Sequence, residues 1–449
     1  MPANNKQRIA VIGGGWSGLA AALELSRQGY QVSVFESSPQ LGGRARSIEW
    51  NGMTLDNGQH LMIGAYQQML SLLNIMQADI SSLFKRIPHR ILMIDAQTGQ
   101  TSFDLQLPTF PAPLHLLFGV LKIPQLTFIE KMKVVLQFNR LLNTHIENDL
   151  TVSSWLASAN LPQVYVRNLL EPVCLAALTT HPRQASAKAF QSVLQQTFNA
   201  PAEHTDLLLT TTDLDQVFPD LAEQFILQRG GSIQTRSKVS KLHIENSQVK
   251  SITVNQQQLF FDQVILATPP TVSAKLLGDI EATRKISQQL KGLQFEPITT
   301  LYLEFEAPVS LPAVMTGIIN GVAEWVFEKS DCGHSHVLAV VISAQGNHLN
   351  MSQEAMCKQI LSELKQIIPA LPDLLDSKLI IEKRATFQCH PNVDQHRPGI
   401  KTRLSNLNLC GDYVYIEENN QPGLPSTLEG ALRSGVKCAQ TVINNLITR

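Results

Sequence analysis

RIAVIGGGWSGLAAALELSRQGYQVSVFESSPQLGGRAR, residues 8–46, decides how the rest of the chain is read. Arg8 to Ile12 is a short apolar, β-branched run ending in glycine, and Trp16 to Arg27 has helical spacing through Leu19, Ala22, Leu23 and Ser26. The order is strand, tight turn, helix. Gly13, Gly15 and Gly18 give that turn G-x-G-x-x-G spacing. The first permits the bend, the second lets backbone approach a pyrophosphate, and the third lets helix pack on strand. Amides at the helix N-terminus and the helix dipole then face phosphate. Gln31 to Phe35 alternates as a second strand and Glu36 stands at its end, 23 residues after Gly13. A carboxylate there accepts from both ribose hydroxyls and disfavours a 2′-phosphate.

The stretch continues into Leu41-Gly42-Gly43-Arg44-Ala45-Arg46. This resembles the L-G-G-R motif of the FAD-dependent amine oxidase and phytoene desaturase superfamily. The resemblance implies FAD as cofactor, with Gly43 and Arg44 near the pyrophosphate; read without it, Arg44 and Arg46 are two solvated cations.

Composition narrows the partners. The chain has 449 residues, 44% hydrophobic and 16% charged, with a formal net charge of −1. Against roughly 25% charged residues in an average protein, this gives no field to attract nucleic acid, and an apolar or small partner is expected. Cys174, Cys332, Cys357, Cys389, Cys410 and Cys438 show no C-x-x-C spacing. Neither a disulfide framework nor a zinc site is indicated, and a reducing cytoplasm is expected. Met1 to Gln7 is polar and no run approaches about 18 apolar residues, so neither a signal peptide nor a membrane span is expected.

Dinucleotide signatures recur far downstream. Gly230-Gly231-Ser232-Ile233 leads through an expected hairpin, Val239 to Val254, into Phe261-Asp262-Gln263-Val264-Ile265-Leu266-Ala267-Thr268-Pro269-Pro270, read as a buried strand stopped by prolines. This resembles the superfamily's V-I-x-A-x-P strand, and Val239 resembles the residue whose backbone faces adenine; a core valine fits equally. Asn408-Leu409-Cys410-Gly411-Asp412 ends another strand, followed by Gly423-Leu424-Pro425-Ser426-Thr427-Leu428-Glu429-Gly430 at a helix start. Gly411 permits close backbone approach, and Asp412 is placed to accept from the ribityl chain, or forms only a turn. In the superfamily this last helix points its N-terminus at the flavin, where its dipole stabilises the reduced ring, which puts Ser426 and Thr427 beside it.

The expected fold class is therefore mixed α/β. One Rossmann-like FAD domain is assembled from residues 1–80, 230–274 and 396–449, and residues 81–229 and 275–395 form an inserted substrate domain of sheet plus helices. Within the superfamily, three stretches resemble the squalene-associated FAD-dependent desaturases, the hydroxysqualene dehydroxylase family. They are GGRARS with Asp56-Asn57-Gly58-Gln59-His60, Arg167 to Leu178 (RNLLEPVCLAAL), and LPSTLEGALRSG near the C-terminus. The connection YVYIEENNQPGL, 413–424, is longer than is usual there. The resemblance implies reductive removal of an allylic hydroxyl from a C30 isoprenoid, giving squalene, with squalene-synthase-like enzymes as functional associates.

Such chemistry needs a hydride donor and a proton for the departing oxygen. Gly58 lets its loop pass close to the ring, and His60 is the first candidate acid because an imidazole can be protonated near neutral pH. A structural histidine is the alternative. Asp56 either orients that imidazole or caps the loop. Leu114, Leu117, Phe118 and Leu121, then Phe128, Met132, Val135 and Phe138, make two amphipathic helices within about 111–142. They line a lipid tunnel or contact a bilayer surface at the inner face of the membrane, or else pack inside the substrate domain. A carotenoid or phytoene desaturase would use the same site in the opposite redox direction. An amine oxidase is disfavoured by Thr427 where that class often places tyrosine. A non-enzymatic prenyl-lipid escort is disfavoured by the intact Gly13, Gly15, Gly18, Glu36 and Asp412.

Overall fold

The computed structural model describes residues 7–108, 110, 114–198, 201–278, 280–417 and 423–447. Five short parallel strands lie in the order Ser232–Gln234, Gln31–Phe35, Arg8–Ile12, Gln263–Leu266, Leu407–Leu409. Counted along the chain this is 3-2-1-4-5, the doubly wound order, whose switch point lies between Arg8–Ile12 and Gln263–Leu266 and receives ligand at the carboxyl ends of the strands. Both central strands are almost wholly buried, as their continuous apolar runs require when helices cover both faces. Three widely separated segments thus build one Rossmann-like sheet.

Helix Trp16–Arg27 packs against the last helix, Leu428–Ile447. A Cβ built on Gly435 would fall 2.1 Å from the Ser17 carbonyl oxygen, so the crossing depends on a missing side chain. The expected hairpin pairs Val239–Glu245 with Gln248–Val254, and Gln257–Phe260 extends it to three strands. Pro270 opens helix Pro270–Gly278. Leu214–Val217 and Pro219–Gln228, assigned by sequence to the insertion ending at 229, bury Leu214, Val217, Phe218, Phe225 and Ile226 in the same core as helix Trp16–Arg27. Their apolar face covers the nucleotide sheet, which fixes their place more firmly than chain order does.

The inserted segments build a second sheet of seven strands, ordered Leu374–Phe387, Phe295–Phe305, His334–Ser343, Trp325–Lys329, Met315–Ile319, Arg90–Asp95, Thr101–Gln106. Only the pairing of Met315–Ile319 with Arg90–Asp95 is parallel. The stretch RNLLEPVC begins as a π-helical turn, Val166–Leu170, before α-helix Glu171–Leu178. Pro172 has no N–H to donate into a regular ladder, and the wider turn accommodates that loss.

The amphipathic pair forms as helices Leu114–Leu121 and Phe128–Asn143; residues 111–113 of the expected segment lie outside the described residues. Thr127 and Glu130 close a capping box at the second helix. Val134, Phe138, Leu141 and Leu142 face inward, whereas Phe128 (72% exposed), Ile129 (70%), Leu136 (66%) and Met132 face out. On the first helix Leu114 and Phe118 are exposed, and Phe110 stacks on Phe118 at 5.0 Å. Much of the apolar stripe read from sequence thus lies on the surface rather than in the core. Among the described residues no helix is long and apolar enough to cross a membrane.

Candidate active site

At the carboxyl end of the first strand the chain turns at Gly13, with φ +112°, where a Cβ would sit 2.5 Å from the Ala267 carbonyl oxygen. Gly18 packs against the same turn: its Cβ would meet the Gly13 carbonyl oxygen at 2.0 Å. Gly15 is the N-cap of helix Trp16–Arg27 and supplies no capping side chain, and the first turn carries no acid. The helix end therefore offers backbone amides and a positive dipole to an anion. The L-G-G-R loop closes over this turn. Gly42 N–H donates to Gly14 O at 2.9 Å, and Gly43 faces Gly15 across the gap. Glu36 is almost fully buried, its carboxylate accepting from the amides of Gly14 and Ser38, each at 2.7 Å. Its backbone carbonyl accepts from Ser237 N–H at 2.7 Å, which brings Val239 to the same rim.

Asp412 completes the site from the far end of the chain. Its carboxylate takes Arg44 Nη2 at 2.7 Å and the Ser426 hydroxyl, while Arg44 Nη1 donates to Ala385 O at 2.5 Å. Burial alone would raise this carboxyl, but Arg44, Ser426 and Arg397 outweigh it and hold it below the usual carboxylate range. Gly411 N–H bonds Ser434 Oγ at 3.0 Å. Thr427 Oγ1 accepts from Gly430 N–H at 3.0 Å and caps the last helix, so Ser426 and Thr427 both stand at its N-terminus. A glycine-lined turn, an uncapped helix end, a buried acid on the second strand and a cation–acid pair opposite fit a dinucleotide.

Asp56 and His60 lie on the loop that leaves strand Met53–Asp56, but they do not hydrogen-bond each other. His60 Nδ1 lies 2.9 Å from the Gly58 carbonyl, so in the neutral ring Nδ1 carries the proton and Nε2 accepts. Burial pushes the imidazole below its ordinary value, with Arg44 and Lys329 adding to the effect and Asp56 opposing it. Burial thus favours the neutral ring and Asp56 the charged one, so both roles read from sequence, acid and structural histidine, stay open to His60. Asp56 Oδ1 accepts from Leu214 N–H at 3.0 Å, and Oδ2 faces Lys329 Nζ at 3.6 Å. Of the two roles open to Asp56, fastening the loop is the one its bonds perform.

Sequence reading missed two residues. Lys329 is 4% exposed and bonds Gln59 Oε1 at 3.2 Å. The alternation of Trp325, Phe327 and Lys329 along its strand was the available signal, since it puts the lysine on the inward face. Arg397, 5% exposed, donates to Leu424 O at 2.8 Å and to the carbonyls of Tyr413 and Val414, each at 3.3 Å. It holds both ends of the long 413–424 connection, of which residues 418–422 lie outside the described residues. Its surroundings come from distant segments, and nothing local marked it.

Lys329→Met leaves Asp56 buried without its cation and should cost about 3–5 kcal/mol in urea unfolding, with Lys329→Met/Asp56→Asn recovering part of the loss. For Asp412 the folded carboxyl is depressed, so its stabilisation is present above the unfolded value of roughly 3.9 and is lost as pH falls through the lower folded value. Arg44→Gln should move the acid unfolding midpoint of the chain upward, read by circular dichroism.

The model of the flavin containing amine oxidoreductase family matches residues 16–443. The chain is 26% identical to a hydroxysqualene dehydroxylase of Zymomonas mobilis over 97% of this chain and 99% of that one. It is 26% identical to one of Sinorhizobium fredii over the full length of both. A probable zeta-carotene desaturase of Synechococcus elongatus is 21% identical over 97% of this chain and 98% of its own. Among solved structures, a putrescine oxidase superposes with TM-score 0.73 at 16% identity, over 98% of this chain and 99% of that one. With the cradle described above, these findings make the protein an FAD-dependent oxidoreductase that belongs to the flavin containing amine oxidoreductase family.

Proposed function

We propose that this enzyme reductively removes the allylic hydroxyl of hydroxysqualene, a C30 isoprenoid, to give squalene. The observation that carries the reading is the pair of full-length hydroxysqualene dehydroxylase relatives at 26%, set against carotenoid desaturases at 21–22%. The allylic C–O bond breaks, the oxygen leaves as water with one added proton, and a hydride replaces it at carbon. When bound and reduced, FAD supplies that hydride. Gly13, Gly15, Gly18, Glu36, Gly43, Arg44, Val239, Gly411, Asp412, Ser426 and Thr427 are proposed to hold the cofactor, and Gly58 to let its loop approach the ring.

His60 is the proposed proton donor, and the field of Asp56 favours its charged form against the burial that opposes it. A group whose value is lowered holds its proton only toward acid, so delivery weakens as pH rises through a value below the ordinary imidazole's roughly 6.5. The surrounding apolar domain excludes water from the developing allylic cation.

A hydrocarbon of this length resides in membrane, and the exposed face of Phe110, Leu114, Phe118, Phe128, Ile129 and Leu136 supports docking on the inner, cytoplasmic bilayer surface. Exposed Lys122 and Lys133 stand near it to meet anionic headgroups. Enzymes resembling squalene synthase, which make the substrate, are the proposed functional associates.

Anaerobic mixing of photoreduced holoenzyme with hydroxysqualene should give squalene and oxidised flavin in one turnover, with a rate that falls as pH rises and a pH limb lost in His60→Gln. Absence of flavin reoxidation would reject the reading, and desaturation of a carotenoid precursor by oxidised enzyme would favour the second family of relatives. Sedimentation with phosphatidylglycerol vesicles should be lost in Phe128→Ser/Ile129→Ser/Leu136→Ser while the circular dichroism spectrum stays unchanged.

A further inference from the structure

Strand Phe295–Phe305 presents Thr300 and Tyr302 on one face, toward the Asp56–His60 loop. Tyr302 is accounted for: its hydroxyl donates to the Asp56 carbonyl at 3.0 Å. Thr300 is not. It is 1% exposed, and among the described residues its Oγ1 has no hydrogen-bond partner. A Cβ built on Gly58 would lie 3.4 Å from that oxygen, so the hydroxyl stands at the inner edge of the loop.

The obvious acceptors in the loop are engaged elsewhere. Asp56 O takes Tyr302 and the Gly58 amide, and Gly58 O takes His60 Nδ1. A buried hydroxyl that finds no partner costs stability, and valine would fill the same β-branched space without that cost. The residue type is explained if a bound group supplies the acceptor.

We propose that the Thr300 hydroxyl donates a hydrogen bond to the isoalloxazine ring of the bound flavin, at the edge that lies against Gly58. The proposal rests on the reading that the Gly58 loop approaches the ring. Reduction adds electron density to the ring heteroatoms, so a fixed neutral donor in a site shielded from water stabilises the reduced form more than the oxidised one. It does so without supplying charge or proton. Thr300 is thereby distinct from His60, whose accepting Nε2 cannot perform this task while the ring is neutral.

The test compares Thr300→Val, which keeps shape and loses the donor, with Thr300→Ser, which keeps the donor. The readouts are the flavin midpoint potential and visible spectrum of the purified holoenzymes. Thr300→Val should load FAD and lose about tenfold in relative stabilisation of the reduced flavin, which for a two-electron couple is a potential about 30 mV more negative. Thr300→Ser should hold the wild-type value. Unchanged potential and spectrum in Thr300→Val would overturn the proposal while leaving the flavin site intact. A shift equal in both variants would overturn it as well, since packing rather than the hydroxyl would then be responsible. A wild-type protein that carries no flavin would overturn the flavin site together with it.

Discussion

One guanidinium ties together three pieces of chain that lie far apart in sequence. Arg44 follows the second strand of the nucleotide sheet, Asp412 follows the fifth, and Ala385 lies near the end of an edge strand of the large inserted sheet; Arg44 bonds the other two. Asp412 is buried while the Arg44 side chain remains partly open to solvent, and the buried carboxylate is tolerable because it is fully partnered: Ser426 and Arg397 take up what Arg44 leaves of Asp412. Since Ser426 opens onto the last helix, the same knot sets where that helix points its positive end. A split site becomes a single site when this ion pair closes.

The Asp56–His60 loop obeys a similar rule on the other side. Its anchors come from both sheets: Leu214 N–H from the helices that cover the nucleotide sheet, Tyr302 and Lys329 from the large one. A loop held from two sides can present backbone and an imidazole at fixed positions, which a surface loop bonded only to itself cannot do. The cost is a buried lysine, and Asp56 with Gln59 offsets it.

This division explains what the sequence let one read. The glycines at 13, 15 and 18, Glu36 and the strand–helix order follow from local chain geometry, so spacing alone made them legible, whereas the order of all five strands came only with the structure. Asp412 and Ser426 were found only because a resemblance supplied the meaning of Gly411-Asp412 and of the helix after it. Arg397, Lys329 and the π-helical turn at Val166–Leu170 escaped because their reasons lie elsewhere in the chain: carbonyls from 413 to 424, a carboxylate at 56, a proline two positions beyond the turn. His60 was seen, but the burial and neighbouring charges that bias its proton cannot be counted before the fold is known. The helices at 114–121 and 128–143 show a different limit. Their period was plain, yet period does not say whether an apolar face looks into a core or out of it.

The direction of the electrons is a separate matter, which the nucleotide motif does not encode. Oxidative and reductive members can share one cradle, because the role proposed for Gly13, Glu36, Arg44 and Asp412 is to hold phosphates and ribose rather than the reacting edge. What distinguishes the directions is charge management near the ring. Removing hydroxide needs a proton delivered and an allylic cation tolerated, whereas desaturation needs a proton accepted. A neutral His60 whose free Nε2 accepts would suit desaturation if it were alone. Beside it the Asp56 carboxylate favours the charged ring, and Lys329 and Arg44 oppose that charge. The balance among these four groups, rather than the fingerprint at residues 8–46, is where a reductive enzyme must differ from an oxidative one built on the same fold.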